Sequence, residues 1–313
     1  SKYDTYTNYV ALGDSTSQGY TIIDGVLVDD CYPQKVKEKC NISEENFANM
    51  SIPSLTTLQF YDLIQTSEYT EAIKNCDLLT ITIGANEITQ IGAEALSYAT
   101  GVPMTWDPTF TDLVLEAFLE ADLPTKTAMI TAFHEYVTTQ DIFGKVEANI
   151  LQYKEYWSKS IDYIKQINPD VTIVATEFYN PYSGITLLTF DLGSLSDEVI
   201  QKLNGVLYEC SDSETNYKIA KIYSTFNSTN PRLTYVNTSL TAFNPDPHPT
   251  VLGHEIISLK ILEALYPANT SQRATDISLL STNDIQDQEY TGEPIEPDII
   301  IKDGDYTLEK EKE

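Results

Sequence analysis

Tyr9-Val10-Ala11-Leu12-Gly13-Asp14-Ser15 is a short apolar run that stops on a glycine, an acid and a hydroxyl. Its length and composition fit a strand of a parallel sheet whose C-terminal end opens into a turn carrying Ser15. Open α/β sheets place their chemistry at that end of their strands, which makes Ser15 the first candidate for a reactive group. Taken alone, the stretch reads as an ordinary strand end, because Gly, Asp and Ser are common turn residues. The decision rests on whether partners for Ser15 follow along the chain.

Outward from this stretch, a polar, Gly-containing loop leads to a short basic helix over Pro33–Cys40. A second strand is expected over Asn46–Ser54 and a helix over Leu55–Gln65. The Leu-Leu-Thr-Ile-Thr-Ile run within Asp77–Ile83 is β-branched, bounded by Asp77 and Gly84, and apolar enough for both faces to be buried. From Glu87 to Ile167 the pattern is helical, interrupted at Gly101–Pro108 and Leu123-Pro124. That is more helix than one crossover needs, so residues 99–144 are expected to form an inserted cap over a pocket. Val146, Ile150, Tyr153, Trp157, Ile161 and Ile164 recur at helical spacing as a core-facing stripe. Further strands are expected over Val171–Phe178, Ala220–Tyr223 and Leu233–Val236. Helices are expected over Ser196–Glu209 and Pro249–Leu265. Strands alternating with helices predict a mostly parallel sheet between helical layers.

The chain has 313 residues and a hydrophobic content of 42%, enough for one large, well-buried domain and an appendage. Its 47 acids against 19 bases give a net charge of −28, which repels phosphate backbones and anionic headgroups. Nucleic-acid binding and electrostatic membrane docking are therefore not expected. No apolar run reaches the length of a membrane span. The chain opens without Met, a charged segment and an apolar core segment, so any signal peptide is expected to have been removed. Cys31, Cys40, Cys76 and Cys210 are too scattered for a disulfide framework, and read as structural or free thiols unless export allows one or two bridges. Without Cys-x-x-Cys spacing and with three histidines, no metal or cofactor is expected.

A serine needs a base to take its proton, usually a histidine held by a carboxylate. His134 lies in the helical insertion with no acid-serine context, and His254 falls inside the closing helix. His248 sits in Asn244-Pro245-Asp246-Pro247-His248-Pro249, a proline-stiffened loop that can hold an imidazole with little entropy left to lose. With these residues assembled, the chain resembles the SGNH or GDSL-type hydrolases. Gly13-Asp14-Ser15 is similar to their first block, Thr16 replacing the usual leucine. Asn49 to Thr57 looks like the second, with Ser54 at the place of an oxyanion glycine. Gly84-Ala85-Asn86-Glu87 is similar to the third, Glu87 replacing aspartate. Pro249-Thr250-Val251-Leu252-Gly253-His254-Glu255 resembles the closing-helix pattern, and Glu177-Phe178-Tyr179-Asn180-Pro181-Tyr182 a strand end of lipase-like bacterial members.

The resemblance spans Asn8 to Tyr266. It implies a three-layer α/β/α, flavodoxin-like fold around a mostly parallel five-stranded sheet, and a hydrolase domain over residues 1–268. It also implies Ser15 as nucleophile, His248 as base, Asp246 as the acid behind it, and an oxyanion hole from the amides of Ser15 and Ser54 and the side chain of Asn86. The family usually spaces the acid three residues before the histidine, whereas Asp246 is two before His248. Either the loop bends to compensate, or a backbone carbonyl or Asn244 orients the ring. The implied reaction is hydrolysis of a small acyl, lipid or glycan ester through an acyl-enzyme. The alternatives are an acetyl esterase acting on acetylated polysaccharide and a catalytically silent surface-binding module.

From Asp276 onward twelve acids face three lysines. Within this tail, Tyr290 to Gly304 resembles the opening strands of the Ig-like repeats of Gram-positive surface proteins. Residues 269–313 thus read as an acidic linker and partial Ig-like segment of a secreted or surface-attached protein, expected to be a monomer.

Overall fold

A computed structural model of the chain describes residues 3, 5–22, 25–105, 109–228, 233–267, 281–282, 300–303 and 306–307. The chain divides into two units, Ser1–Tyr266 and Pro267–Glu313.

In the first unit, β1 (Tyr9–Gly13) runs into a one-turn helix α1 (Ser15–Gln18) and a small hairpin, β2 (Tyr20–Thr21) with β3 (Gly25–Val26). Then come α2 (Tyr32–Lys39), β4 (Phe47–Asn49), α3 (Thr57–Ile64), α4 (Ser67–Asn75) and β5 (Leu78–Thr82). Four helices follow, α5 (Asn86–Thr100), α6 (Thr109–Glu120), α7 (Leu123–Thr139) and α8 (Ile142–Ile167), before β6 (Thr172–Thr176). A second hairpin, β7 (Thr186–Leu187) with β8 (Phe190–Asp191), leads into α9 (Leu192–Glu209). The unit closes with β9 (Lys218–Ala220), α10 (Tyr223–Ser228) and α11 (Val251–Leu265).

The main sheet has the order β4-β1-β5-β6-β9, and every pair in it is parallel. The chain leaves β1 to one side for β4, then returns to the other side for β5. That reversal opens a crevice at the C-terminal ends of β1 and β5, the place where such sheets bind ligands. Alternation along β1 sends Val10 and Leu12 to one face, with Phe60 of α3, Tyr153 and Trp157 of α8 and Leu203 of α9. Tyr9 and Ala11 go to the other, with Tyr32 and Val36 of α2 and Ile257 and Ile261 of α11. The result is the three-layer α/β/α architecture expected from the family resemblance. Burying each large apolar side chain contributes about 1.5–3 kcal/mol, so this two-sided packing is what fixes the strand ends.

Two expectations need correction. Leu233–Val236 is not a strand: Leu233 and Val236 are buried, but the segment makes only an isolated bridge, Thr234 to Pro249. Its apolar residues plug the core from a loop. Ala220–Tyr223 shifts, because β9 ends at Ala220 and Tyr223 already begins α10. Within the predicted insertion, α6 and α7 both pack on α5. Phe118 of α6 meets Phe243 at 4.5 Å, and Lys126 of α7 donates to the Leu240 carbonyl at 3.1 Å, so these helices touch the loop that leads to His248. Among the described residues no helix is long and apolar enough to cross a membrane.

In the second unit, β10 (Ser281–Thr282), β11 (Ile301–Asp303) and β12 (Tyr306–Thr307) form a small antiparallel sheet. Most of the predicted Ig-like stretch, residues 290–299 and Gly304, lies outside the described residues.

Candidate active site

The turn after β1 is forced by its glycine. Gly13 has φ +152°, and a Cβ there would lie 2.3 Å from the Thr82 carbonyl oxygen. Only a bare backbone can pass so close to β5. The Asp14 N–H then donates to that same carbonyl at 3.1 Å, and its carboxylate caps α1 by accepting the Thr16 N–H at 3.0 Å. Ser15 is thereby held as the first residue of α1, partly open to solvent. Beneath it runs a chain of hydroxyls: Ser51 donates to Ser17, Ser17 meets Tyr32, Tyr32 meets Thr82, and Thr82 meets Thr176, all within 2.6–3.0 Å.

The second part arrives from the other end of the chain. Asn237 and Asn244 pair through their backbones, the Tyr235 N–H donates to the His248 carbonyl, and the Asn244 side chain accepts the Asp246 N–H at 3.0 Å. Asp246 is 1% exposed. Its Oδ1 accepts the His248 N–H at 3.0 Å and lies 2.6 Å from His248 Nδ1, while Oδ2 accepts the Ile22 N–H at 2.9 Å. The loop does bend to compensate for the shortened spacing. An acid two residues before the histidine reaches both its backbone and its ring, and Asn244 orients the acid, not the ring. With a proton on Nδ1 facing the carboxylate, Nε2 is left as an acceptor. It lies 2.8 Å from Ser15 Oγ.

Two tyrosines brace this loop from the end of β6: Tyr179 donates to the Pro247 carbonyl at 2.7 Å and Tyr182 to that of Pro245 at 3.1 Å. The rings of Tyr20 and His248 meet nearly at right angles, their centroids 5.3 Å apart. Gly253 lets α11 seat directly behind, since a Cβ there would lie 2.2 Å from the Leu233 carbonyl oxygen. The other histidines are elsewhere. His254 is fully buried in α11, its Nδ1 accepting the Tyr32 N–H at 3.1 Å, and burial pushes its pKa down to about 3, so it stays neutral. His134 stacks on Phe190 at 4.6 Å.

The third part comes from the ends of β4 and β5. The Ile52 N–H donates to the Gly13 carbonyl at 3.0 Å, carrying the segment after β4 past the nucleophile turn. Ser54 then adopts φ +65°, the left-handed region that the glycine of the family pattern would occupy without strain. Holding a serine there carries an expected cost of about 1–2 kcal/mol. Ser54→Gly is therefore expected to raise the unfolding free energy by about 0.5–1 kcal/mol, after allowing for the greater freedom of glycine in the unfolded chain. Urea denaturation would check this, and a loss of stability would contradict the strain. Asn86, at the start of α5, donates from Nδ2 to the Leu55 carbonyl at 2.8 Å, with Asp14 Oδ2 at 3.5 Å. Burial pushes the Asp14 carboxyl up to about 7. Among the described residues no group of three or more His, Cys, Asp or Glu side chains is placed to hold a metal ion.

A family model described as GDSL-like lipase/acylhydrolase matches residues 9–261. The chain belongs to the GDSL-like lipase/acylhydrolase family. That membership places it among hydrolases acting on esters. A comparison with curated proteins found no match. Among solved structures, it is similar to a lipase from a goat rumen metagenome, with 19% identity, a TM-score of 0.51, and coverage of 83% of this chain and 98% of the other. An extracellular lipase from Streptomyces rimosus gives 17% identity and a TM-score of 0.51, covering 82% and 99% of the two chains. A phospholipase A1 from Streptomyces albidoflavus gives 14% identity and a TM-score of 0.53, covering 83% and 100%. At these identities the likeness is one of fold.

As a GDSL-like lipase/acylhydrolase, the chain departs from the family pattern at Thr16, Ser54, Glu87 and the spacing of Asp246 from His248. The structure nonetheless brings Ser15, His248 and Asp246 into hydrogen-bonding sequence, with Ser54 on the segment after β4 and Asn86 at the start of α5 beside them. Sequence reasoning missed Ile22, which holds Asp246 through its backbone, and the bracing roles of Tyr179 and Tyr182. The strand-end stretch Glu177–Tyr182 carried the signal for the tyrosines. Nothing local marks Ile22, because only its N–H is used.

Proposed function

We propose that this chain is a serine esterase that hydrolyses carboxylic esters through an acyl-enzyme on Ser15. The observation that carries the reading is the relay itself: Ser15 Oγ 2.8 Å from His248 Nε2, with Asp246 2.6 Å behind Nδ1. In this reading His248 takes the hydroxyl proton as Ser15 attacks the ester carbonyl. The resulting imidazolium is stabilised by Asp246, which is nearly dry and therefore effective at short range. The oxyanion is met by the N–H groups of Ser15 and Ser54 and by the side-chain amide of Asn86. Beyond the N–H given to Leu55, Asn86 has a second that reaches Asp14 Oδ2 only at 3.5 Å, a long contact that an oxyanion would displace. His248 then returns its proton to the leaving alcohol, and water, deprotonated by His248, releases the acid.

Lipases and a phospholipase A1 among the structural neighbours support acyl esters as the substrate class. The net charge of −28 favours uncharged esters over anionic ones. A fluorophosphonate should label the wild-type protein with the modification mapping to Ser15, and the same preparation should turn over p-nitrophenyl butyrate. Absence of both would mean an unactivated serine, and the silent binding module would replace this reading.

A further inference from the structure

We propose that Glu87, outside the relay of Ser15, His248 and Asp246, is a positioning residue that holds the oxyanion loop in place by tying down the start of α3. The proposal rests on the esterase reading for its catalytic consequence, but its structural part stands separately.

Glu87 lies in the first turn of α5 and is 4% exposed. Its Oε1 accepts the Thr57 N–H at 2.6 Å and also the Thr57 hydroxyl. Thr57 is the first residue of α3 and fully buried, so its N–H is one of the donors a helix start leaves without an intrahelical partner. The Thr56 side chain caps the N–H of Gln59, leaving that of Thr57 to Glu87. The adjacent residue, Asn86, donates to the carbonyl of Leu55. The segment 55–57 is thus held at two points by consecutive residues of α5. Asn149 of α8 in turn donates to the Glu87 carbonyl, which anchors the turn doing the holding.

The segment needs holding because Ser54 sits immediately before it in a backbone region costly for any residue but glycine. Released from Thr57, Ser54 and Leu55 can relax toward ordinary dihedrals, and the Ser54 N–H swings away from the oxyanion position. A displacement of about 1 Å at such a donor is enough to cost catalysis heavily. Among the described residues Glu87 Oε2 has no hydrogen-bond partner, so one oxygen does the holding. Burial pushes the carboxyl upward from its ordinary value, while both bonds to Thr57 end on Oε1, an oxygen that an amide also carries. An isosteric amide can then take its place.

The test compares wild type, Glu87→Ala and Glu87→Gln with p-nitrophenyl butyrate, well below the measured Tm of each. Glu87→Ala is expected to lower kcat about 10- to 100-fold, with KM changed by less than about threefold, because the oxyanion forms only in the transition state. Glu87→Gln is expected to regain most of that loss. Amide hydrogen exchange at residues 54–57 should be faster in Glu87→Ala, whether or not any ester is turned over. If Glu87→Ala does not fold, Thr57→Ala, which removes one of the two bonds, should show the same split and exchange at smaller amplitude. Unchanged exchange at 54–57, or a lower Tm with kcat within about twofold of wild type, would overturn the proposal. An inert wild type with the expected exchange difference would instead remove the esterase reading and leave the clamp standing.

Discussion

Ser15→Ala is expected to lower kcat for p-nitrophenyl butyrate by about 10⁶-fold, the scale seen when a serine hydrolase loses its nucleophile. The remaining donors and His248 would still bind an ester, but no atom in the crevice could form the acyl-enzyme. The fold should survive, because the turn does not depend on the hydroxyl. Gly13 makes the close pass to Thr82, Asp14 caps α1, and Ser17 carries the buried hydroxyl contacts. Stability is therefore expected to stay within about 0.5 kcal/mol of wild type. Steady-state kinetics paired with a thermal melt checks both halves. A folded Ser15→Ala protein retaining more than about a tenth of the activity would show that the nucleophile lies elsewhere.

Asp246→Asn is expected to lower kcat by about 10⁴-fold, for a reason of proton placement more than charge. The carboxylate faces three donors, namely the N–H groups of Ile22 and His248 and the His248 ring. An amide has one acceptor oxygen, so its NH₂ must face either Ile22 or His248. Turned toward the ring, it would favour the tautomer with the proton on Nε2, where His248 can no longer accept from Ser15. Turned toward Ile22, it would leave two donors opposed in a site 1% exposed, costing about 1–3 kcal/mol of stability. Either way the variant should fall in kcat, in stability or in both. A folded variant with kcat within about tenfold of wild type would mean that Asp246 does not set the tautomer of the histidine.

Much of this arrangement was legible because its decisive pieces are local. An apolar strand ending in Gly-Asp-Ser, a β-branched strand ending in Gly-Ala-Asn and a proline-bounded histidine each announce themselves within ten residues. β1 and β5 emerged close to where periodicity put them, since strands buried on both faces read as unbroken apolar runs. Helix α4 did not, because only Tyr69 and Ile73 are buried among exposed polar residues. Leu233–Val236 misled because burial alone was visible there, and burial does not say whether a ladder partner exists. The contacts of Glu87 with Thr57, Tyr179 with Pro247 and Ile22 with Asp246 span 30, 68 and 224 residues. No sequence period marks a partner at such a distance; only the assembled sheet and its packed helices bring them together.

That assembly has a consequence for when the proposed activity appears. Ser15 and His248 are separated by 233 residues, and the acid beside the histidine is seated by a backbone group from the hairpin that follows α1. At synthesis rates of about 5–20 residues per second, on the order of 10–50 s pass between the making of the serine and the making of its base. Throughout that interval the serine has no base to accept its proton. Acyl transfer would switch on only once the loop before α11 has joined the nucleophile turn, so the onset of ester cleavage during translation would time the meeting of these two ends.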